Sequence, residues 1–418
     1  MRHLLLTVAV LAASASGGAG QVALRDGHLY RDGQLWVPKL LYHARDFAAA
    51  ARQGFDLVMP KAFSDPRETT VAPEELAAIH AAGLRYCFSV ANPILFDEAH
   101  GIQRPWDEGD LEWILPILNR YKDDPLLAFY YVDEPIGSVR YWWQNGDVGI
   151  YYDRLVKLRA WLQRYDPSHP LWVNFDPAFI HGGGGHSGRE WVQNTADVVS
   201  MDLYPFRTGP VYGATGLGLF RTQAYVLGAL KEYARPEQPV LNVIQAWACK
   251  RDDFVRPEET RATFLLSAAL GVAGYAAYSA SEGGDAGYTL AEAYPEVWAE
   301  LGRINRIIDT VGMAVATGKA YRLEARRDLG NYRADCGLFA TVYTAADGRQ
   351  FLVAMNVRED IPFNDVTLTC PEWRGLADGA LEAVSLFGGE RVLLAGGVFR
   401  RSFGPAAGDV YEVRRQAE

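Results

Sequence analysis

The chain has 418 residues, 49% of them hydrophobic and 22% charged, a balance that excludes a disordered polypeptide and is enough for one large domain plus a smaller one. Its formal net charge of -10, without clusters of Lys and Arg, argues against a nucleic acid partner and suits a neutral substrate. The four cysteines, Cys87, Cys249, Cys336 and Cys370, show no CxxC or Cys/His spacing, so no structural zinc site is expected, although Cys336 and Cys370 lie in one region and could pair in an oxidising compartment.

In chain order, residues 1–20, "MRHLLLTVAVLAASASGGAG", have a basic start, one apolar run and small residues, the pattern of a cleaved secretory signal. That run is shorter than the roughly 20 residues that span a bilayer, and no later one is long and uncharged enough. A secreted or periplasmic protein, free of the membrane after cleavage, is therefore expected. "GHLYRDGQLW" next reads as a hairpin placed to cover the closed end of the large domain.

Eight β-branched or aromatic runs then alternate with helical patterns: "LWVPKLLYH", "FDLVMP", "LRYCFSV", "LAFYYVD", "LWVNF", "DVVSMDLY", "PVLNVIQAW" and "GVAGYAAYS". Segments such as "APEELAAIHAAG", "YYDRLVKLRAWLQRYD", "FRTQAYVLGALKEYA" and "RPEETRATFLLSAAL" repeat apolar residues at the spacing of one buried helical face. Strands apolar on both faces belong to a parallel sheet covered by helices. Eight units over residues 21–318, hairpin included, predict a (β/α)8 barrel. A doubly wound sheet is disfavoured because no glycine-rich turn follows the first strand. From 319 to 418 the pattern changes to short strands, "FATVYTA", "QFLVAMNV", "DVTLTC", "ALEAVSLF" and "DVYEVRR", separated by turns, which predicts a small antiparallel β-sandwich.

A barrel of this kind builds its site at the C-terminal ends of its strands. Those ends are Tyr42 and His43, Lys61, Asn92, Asp133 and Glu134, Asn174 and Asp176, Asp202 and Tyr204, Gln245 and Trp247, then Tyr278 and Ser279 shortly before Glu282. One polar strand end is ordinarily just solvated. Polar endings on every strand favour a shared polar mouth that binds substrate.

With "YYVDEP" on the fourth strand and "SMDLYPF" on the sixth, the sequence resembles (β/α)8-barrel glycoside hydrolases of clan A and related secreted barrels, for which an appended β-sandwich is a common companion. The resemblance implies that Glu134, preceded here by Asp133 where the clan usually has Asn, is the acid/base. It also implies a nucleophilic glutamate at the end of the seventh strand, where this chain has Gln245. An amide cannot attack or act as base, and glycoside cleavage ordinarily needs two carboxyl groups. Candidates for the second are Asp202, which ends an apolar strand with Tyr204 on the same face, Glu282, on a glycine-rich loop across the mouth, and Asp133. Asp133 is the weakest by alternation, because neighbouring strand residues face opposite ways and Glu134 takes the mouth. An Asp-Glu pair also resembles those that assist attack by a sugar's own acetamido group.

Among the loop aromatics Trp106, Trp142, Trp143, Tyr204, Trp247 and Tyr288, the "WW" pair Trp142 and Trp143 is the best candidate for a sugar platform, with core packing as the alternative. "IHGGGGHSG", residues 180–188, lacks the Lys and Ser/Thr of a phosphate loop and reads as a mobile loop over the cleft. His181 and His186 in it have no acidic partners that would make a metal site, and no cofactor is expected. The sequence thus implies a glycoside hydrolase acting through Glu134 with Asp202 or Glu282. The carbohydrate contacts would come from Tyr42, His43, Lys61, Asn92, Asp133, Trp142, Trp143, Asn174, Asp176, Tyr204, Gln245, Trp247 and Tyr278. The alternatives are a sugar-binding barrel without catalysis and a metal-dependent sugar isomerase or lyase.

Overall fold

The structure is a computed structural model that describes residues 21–60, 71–90, 115–137, 147–206, 219–247, 254–272, 274–281, 289–323, 337–373 and 381–416. The signal segment therefore lies outside the described residues, as do Lys61, Asn92, Trp106, Trp142, Trp143, Cys249, Glu282, Tyr288 and Cys336.

Three short strands, β1 (Val22–Arg25), β2 (His28–Arg31) and β3 (Gln34–Trp36), form an antiparallel sheet. Both of its turns are Asp-Gly pairs with positive φ at each residue, 50° and 74° at Asp26 and Gly27, 53° and 79° at Asp32 and Gly33. Those are the dihedral signs that a two-residue hairpin needs to match strand twist. The run "LWVPKLLYH" is divided between this sheet and the barrel, with Val37 and Pro38 between the two strands. Trp36 then stacks on Phe129 at 5.8 Å and donates to Asp56 at 2.8 Å, while Asp32 pairs with Arg85 at 3.1 Å. Asp56 precedes one barrel strand and Arg85 opens the next, so the small sheet covers the N-terminal end of the barrel.

The barrel itself is closed by eight parallel strands in sequential order: β4 (Lys39–Ala44), β5 (Leu57–Pro60), β6 (Arg85–Ser89), β7 (Leu127–Asp133), β8 (Leu171–Phe175), β9 (Val198–Asp202), β10 (Val240–Gln245) and β11 (Tyr275–Tyr278), with β11 pairing back onto β4. Helices pack outside. The Val148–Tyr165 helix starts on an Asp147 cap that accepts from Gly149 N at 2.7 Å, and it buries Tyr151, Leu155, Leu158 and Leu162 along one face.

The Pro295–Thr317 helix leads to β12 (Lys319–Arg322), the first strand of the C-terminal β-sandwich. A six-stranded sheet is built from β12, β13 (Leu338–Thr344), β14 (Gln350–Asn356), β16 (Leu381–Ser385), β17 (Arg391–Leu393) and β19 (Gly408–Arg415). A two-stranded sheet pairs β15 (Phe363–Thr369) with β18 (Val398–Phe403). Strand alternation divides β14 between two cores: Leu352 and Ala354 pack with Leu368, Trp373 and Phe399 inside the sandwich, whereas Phe351, Val353 and Met355 join the barrel core. Tyr343 and Thr341 donate to the last carbonyls of the Pro257–Ala269 helix at 2.7 and 2.8 Å, which fixes the sandwich to the barrel. Cys370 is a thiol buried in the sandwich core and Cys87 a thiol in the barrel, while the pairing considered for Cys370 involves Cys336, which lies outside the described residues.

Candidate active site

The site begins at the end of β7. Phe129 and Tyr131 point inward, and by alternation Asp133 does too. Alternation had been expected to turn Asp133 away from the mouth that Glu134 takes. Glu134 lies one residue past the strand with φ of +37°, a left-handed conformation rare for a side-chain-bearing residue, and its N–H is pinned to Asn174 O at 2.8 Å. That turn brings Glu134 back toward the mouth, so both carboxyls face it. Gly137, three residues on, has no side chain to clash there: a Cβ would lie 2.0 Å from Asp176 Oδ2.

A chain of hydrogen bonds fixes Asp133. Trp172 donates to Ser200 Oγ at 2.8 Å, Ser200 to Asn174 Oδ1 at 2.7 Å, and Asn174 to Asp133 Oδ1 at 3.0 Å, where Tyr131 OH also donates at 2.7 Å. Tyr131 in turn bonds Tyr42 OH from β4. Asp133 is open to the mouth yet ringed by barrel-wall atoms, and loss of bulk hydration raises its pKa despite these bonds.

Across from it, Asp202 ends β9 with its Oδ2 accepting from Tyr204 OH at 3.1 Å. The carboxyls of Asp202 and Glu134 meet within hydrogen-bonding reach. Two carboxylates in contact cannot both ionise readily, so one proton is shared between them. Burial first, then the charges of Asp133 and Asp176, push Asp202 up to about 7. Glu134 is driven well above the usual carboxylate range, by the Asp202 charge first and then by burial. Both shifts favour the protonated form, that of Glu134 through the charge of its partner. Asp176 is buried beside this pair, its Oδ1 capping the turn at Ala178 N at 2.6 Å.

Aromatic rings form the rest of the wall. Tyr204 stacks on Tyr278 at 5.3 Å and meets Trp247 edge-on at 5.6 Å, while Tyr42 and His43 approach Tyr278 at 5.6 and 5.2 Å. His43 itself is held to Ser281 O by Nδ1 at 3.2 Å. Trp247, Tyr278 and His43 are half-buried, leaving part of each ring toward the mouth.

Gln245 does not join the site. Its Oε1 accepts Phe206 N–H at 2.9 Å, and its two amide hydrogens go to the carbonyls of Phe206 and Trp247, the latter at 2.7 Å. With the side chain fully buried and both N–H groups used on backbone, it cannot hold a substrate or a water. It is a strut between the segments after β9 and β10. Residues 180–188 also differ from expectation, because the glycines make close packing rather than an open loop. A Cβ on Gly184 would lie 2.2 Å from Gly149 N, and His186 stacks on Tyr152 at 3.7 Å. Ser187 then opens the Gly188–Thr195 helix with a capping box to Glu190. The "S-x-x-E" signal for that helix was present in the sequence.

The structure brings together Tyr42, His43, Asp133, Glu134, Asn174, Asp176, Asp202, Tyr204, Trp247 and Tyr278. It adds Tyr131 and Ser200, which strand alternation alone places on the inner face. Among the described residues, no group of three or more His, Cys, Asp or Glu is arranged to hold a metal ion, and no helix is long and apolar enough to cross a membrane.

No protein family and no curated protein matches the chain by sequence. Solved structures do match by fold. The α-amylase of Geobacillus thermoleovorans, complexed with acarbose, is 12% identical with a TM-score of 0.53 over 91% of this chain and 99% of that one. A GH27 β-L-arabinopyranosidase from Geobacillus stearothermophilus, in complex with arabinose, is 10% identical with a TM-score of 0.54 over 91% and 97%. The α-galactosidase I of Mortierella vinacea is 11% identical with a TM-score of 0.51 over 90% and 96%. The fold is thus the (β/α)8 barrel with C-terminal β-sandwich, as it occurs in glycoside hydrolases.

Proposed function

We propose that the protein hydrolyses glycosidic bonds by double displacement, with Glu134 as proton donor and Asp202 as nucleophile. The observation that carries this reading is the meeting of two carboxyls at the ends of β7 and β9, each with its pKa raised by burial and by neighbouring acids. Glycoside cleavage uses one protonated and one ionised carboxyl, and the pair comes in that state. Glu134 gives its proton to the leaving oxygen as a carboxylate oxygen of Asp202 attacks the anomeric carbon, forming a glycosyl ester. Ionised Glu134 then takes a proton from water, whose oxygen attacks the same carbon and releases Asp202. Inverting enzymes need room for a water, about 6.5–9.5 Å between carboxyls, against about 5–5.5 Å for retaining ones. Direct approach of the two carboxyls is nearer the shorter separation than the longer, and on that ground retention is the version proposed.

The raised Glu134 and the inward aromatic rings suit an acid that works on a sugar face. A screen of aryl glycosides and polysaccharides, with proton NMR of the first product, tests the proposal. Hydrolysis with the anomeric configuration preserved is expected. Binding of glycans without turnover would favour the sugar-binding alternative, and an inverted product would eliminate Asp202 as nucleophile. Export by the N-terminal segment belongs to the same reading and is checked by N-terminal sequencing of protein collected outside the cytoplasm.

A further inference from the structure

Glycosidases need two carboxyls, yet among the described residues this mouth brings together four, Asp133, Glu134, Asp176 and Asp202. Asp133 and Asp176 do not fit the roles of donor or nucleophile, but each raises the pKa of both Glu134 and Asp202 through its charge. Asp133 is the one of the four most open to the mouth, and its carboxylate is held in place by Tyr131 and Asn174. Opposite this acidic floor is a wall of electron-rich rings, with Tyr278 at its centre against Tyr42, His43, Tyr204 and Trp247. Aromatic faces attract cations by their quadrupoles, independently of the carboxylates.

We infer that the site selects its sugar by charge: it takes glycosides bearing a free ammonium group in preference to neutral ones and rejects uronates, with Asp133 as the specificity-determining residue. The inference rests on the reading of this mouth as a sugar site. A uronate brought beside these acids adds one more negative charge to a cluster whose members already raise one another's pKa. An ammonium group instead supplies a counter-charge, so Asp202 should lose its proton more readily when the ligand is bound.

Ligand-observed NMR at neutral pH, with glucosamine, glucose and glucuronate and the matching galacto series, reads the selection without requiring turnover. The amino sugar of at least one series should bind on the order of tenfold more tightly than its neutral counterpart, and the uronate weakest. In D133N the ammonium preference should fall severalfold, whereas D133E, which keeps the charge, should retain it; thermal melting of both confirms that they fold. Uronate binding as tight as that of the neutral sugar, absence of binding by any amino sugar, or a preference unchanged in D133N would each overturn the inference. If ammonium preference is found without any hydrolysis, the glycosidase reading alone fails. If neutral glycosides are hydrolysed with no such preference, only this inference fails.

Discussion

The two ends of the barrel treat charge in opposite ways. At the N-terminal end buried cations meet carboxylates that reach water, Lys39 with Asp309 and Arg85 with Asp32 at 3.1 Å. There too, burial alone would raise Asp166, but its bonds from His169 at 2.8 Å and Tyr130 at 2.6 Å outweigh it and hold the carboxyl low. At the C-terminal end the buried ions are carboxyls that meet one another. The first arrangement contributes nothing to reactivity and stabilises the fold, whereas the second costs stability and yields a proton poised near neutral pH.

The comparison breaks most visibly if the mouth can lose a carboxyl without consequence. E134Q and D202N should each lower kcat on a natural glycan by about a thousandfold or more, since each removes one half of a two-carboxyl reaction. Steady-state kinetics decides this, and full activity in either variant would refute the pair. The closed end responds in stability instead. W36A removes a ring stacked on Phe129 and should destabilise by about 3 kcal/mol in denaturant titrations, with the shape of the pH–rate profile unmoved.

Next in size is Q245E. A carboxylate facing the carbonyls of Phe206 and Trp247 loses two donated bonds and meets oxygen dipoles, at about 2 kcal/mol of stability. If this change instead raised activity, Gln245 would be a nucleophile position after all.

Titration gives the two ends opposite signs. Asp202 has a folded pKa of about 7 against an ordinary 3.8, so the folded state holds the extra proton between those values. Its contribution is full in acid and is lost as pH rises through about 7. For Asp166 the folded pKa is depressed, so its stabilisation is present above the ordinary value and lost as pH falls. Between mildly acidic and mildly alkaline pH the wild type should therefore lose on the order of 1–2 kcal/mol, and D202N should lose less. The rate should rise with pH through about 7 as Asp202 ionises, and D133N should move that limb downward by removing a charge that raises it. The smallest effect is at Asp32, half-exposed in its pair with Arg85, where D32A should cost about 0.5 kcal/mol and leave every kinetic parameter unchanged.

Much of the molecule was legible before the fold was known. All eight barrel strands appear as apolar runs because a parallel sheet covered on both faces must bury every residue, and the patterned helices follow from having one buried face. The sandwich strands β12 and β17 escaped because they are short and largely exposed, and β18 because two arginines and a serine interrupt its apolar residues. At the site, strand endings identified Glu134, Asp202 and the aromatic residues. The inward facing of Asp133 was missed because an alternation argument presumes extended backbone through Glu134, and the buried bonding of Gln245 because its place at a strand end says nothing of what lies opposite. A left-handed turn at Glu134 and three backbone bonds to Gln245 are facts of contact.

The sequence by itself determined the architecture and the supply of polar groups at the mouth, because burial periodicity and strand endings are local properties of the chain. Only the tertiary structure decided which of those groups meet. Glu134 and Asp202 are separated by two barrel positions and 68 residues of chain. Their raised pKa values follow because barrel closure and the turn after β7 bring two carboxyls together among buried groups, and pKa depends on that distance and that burial.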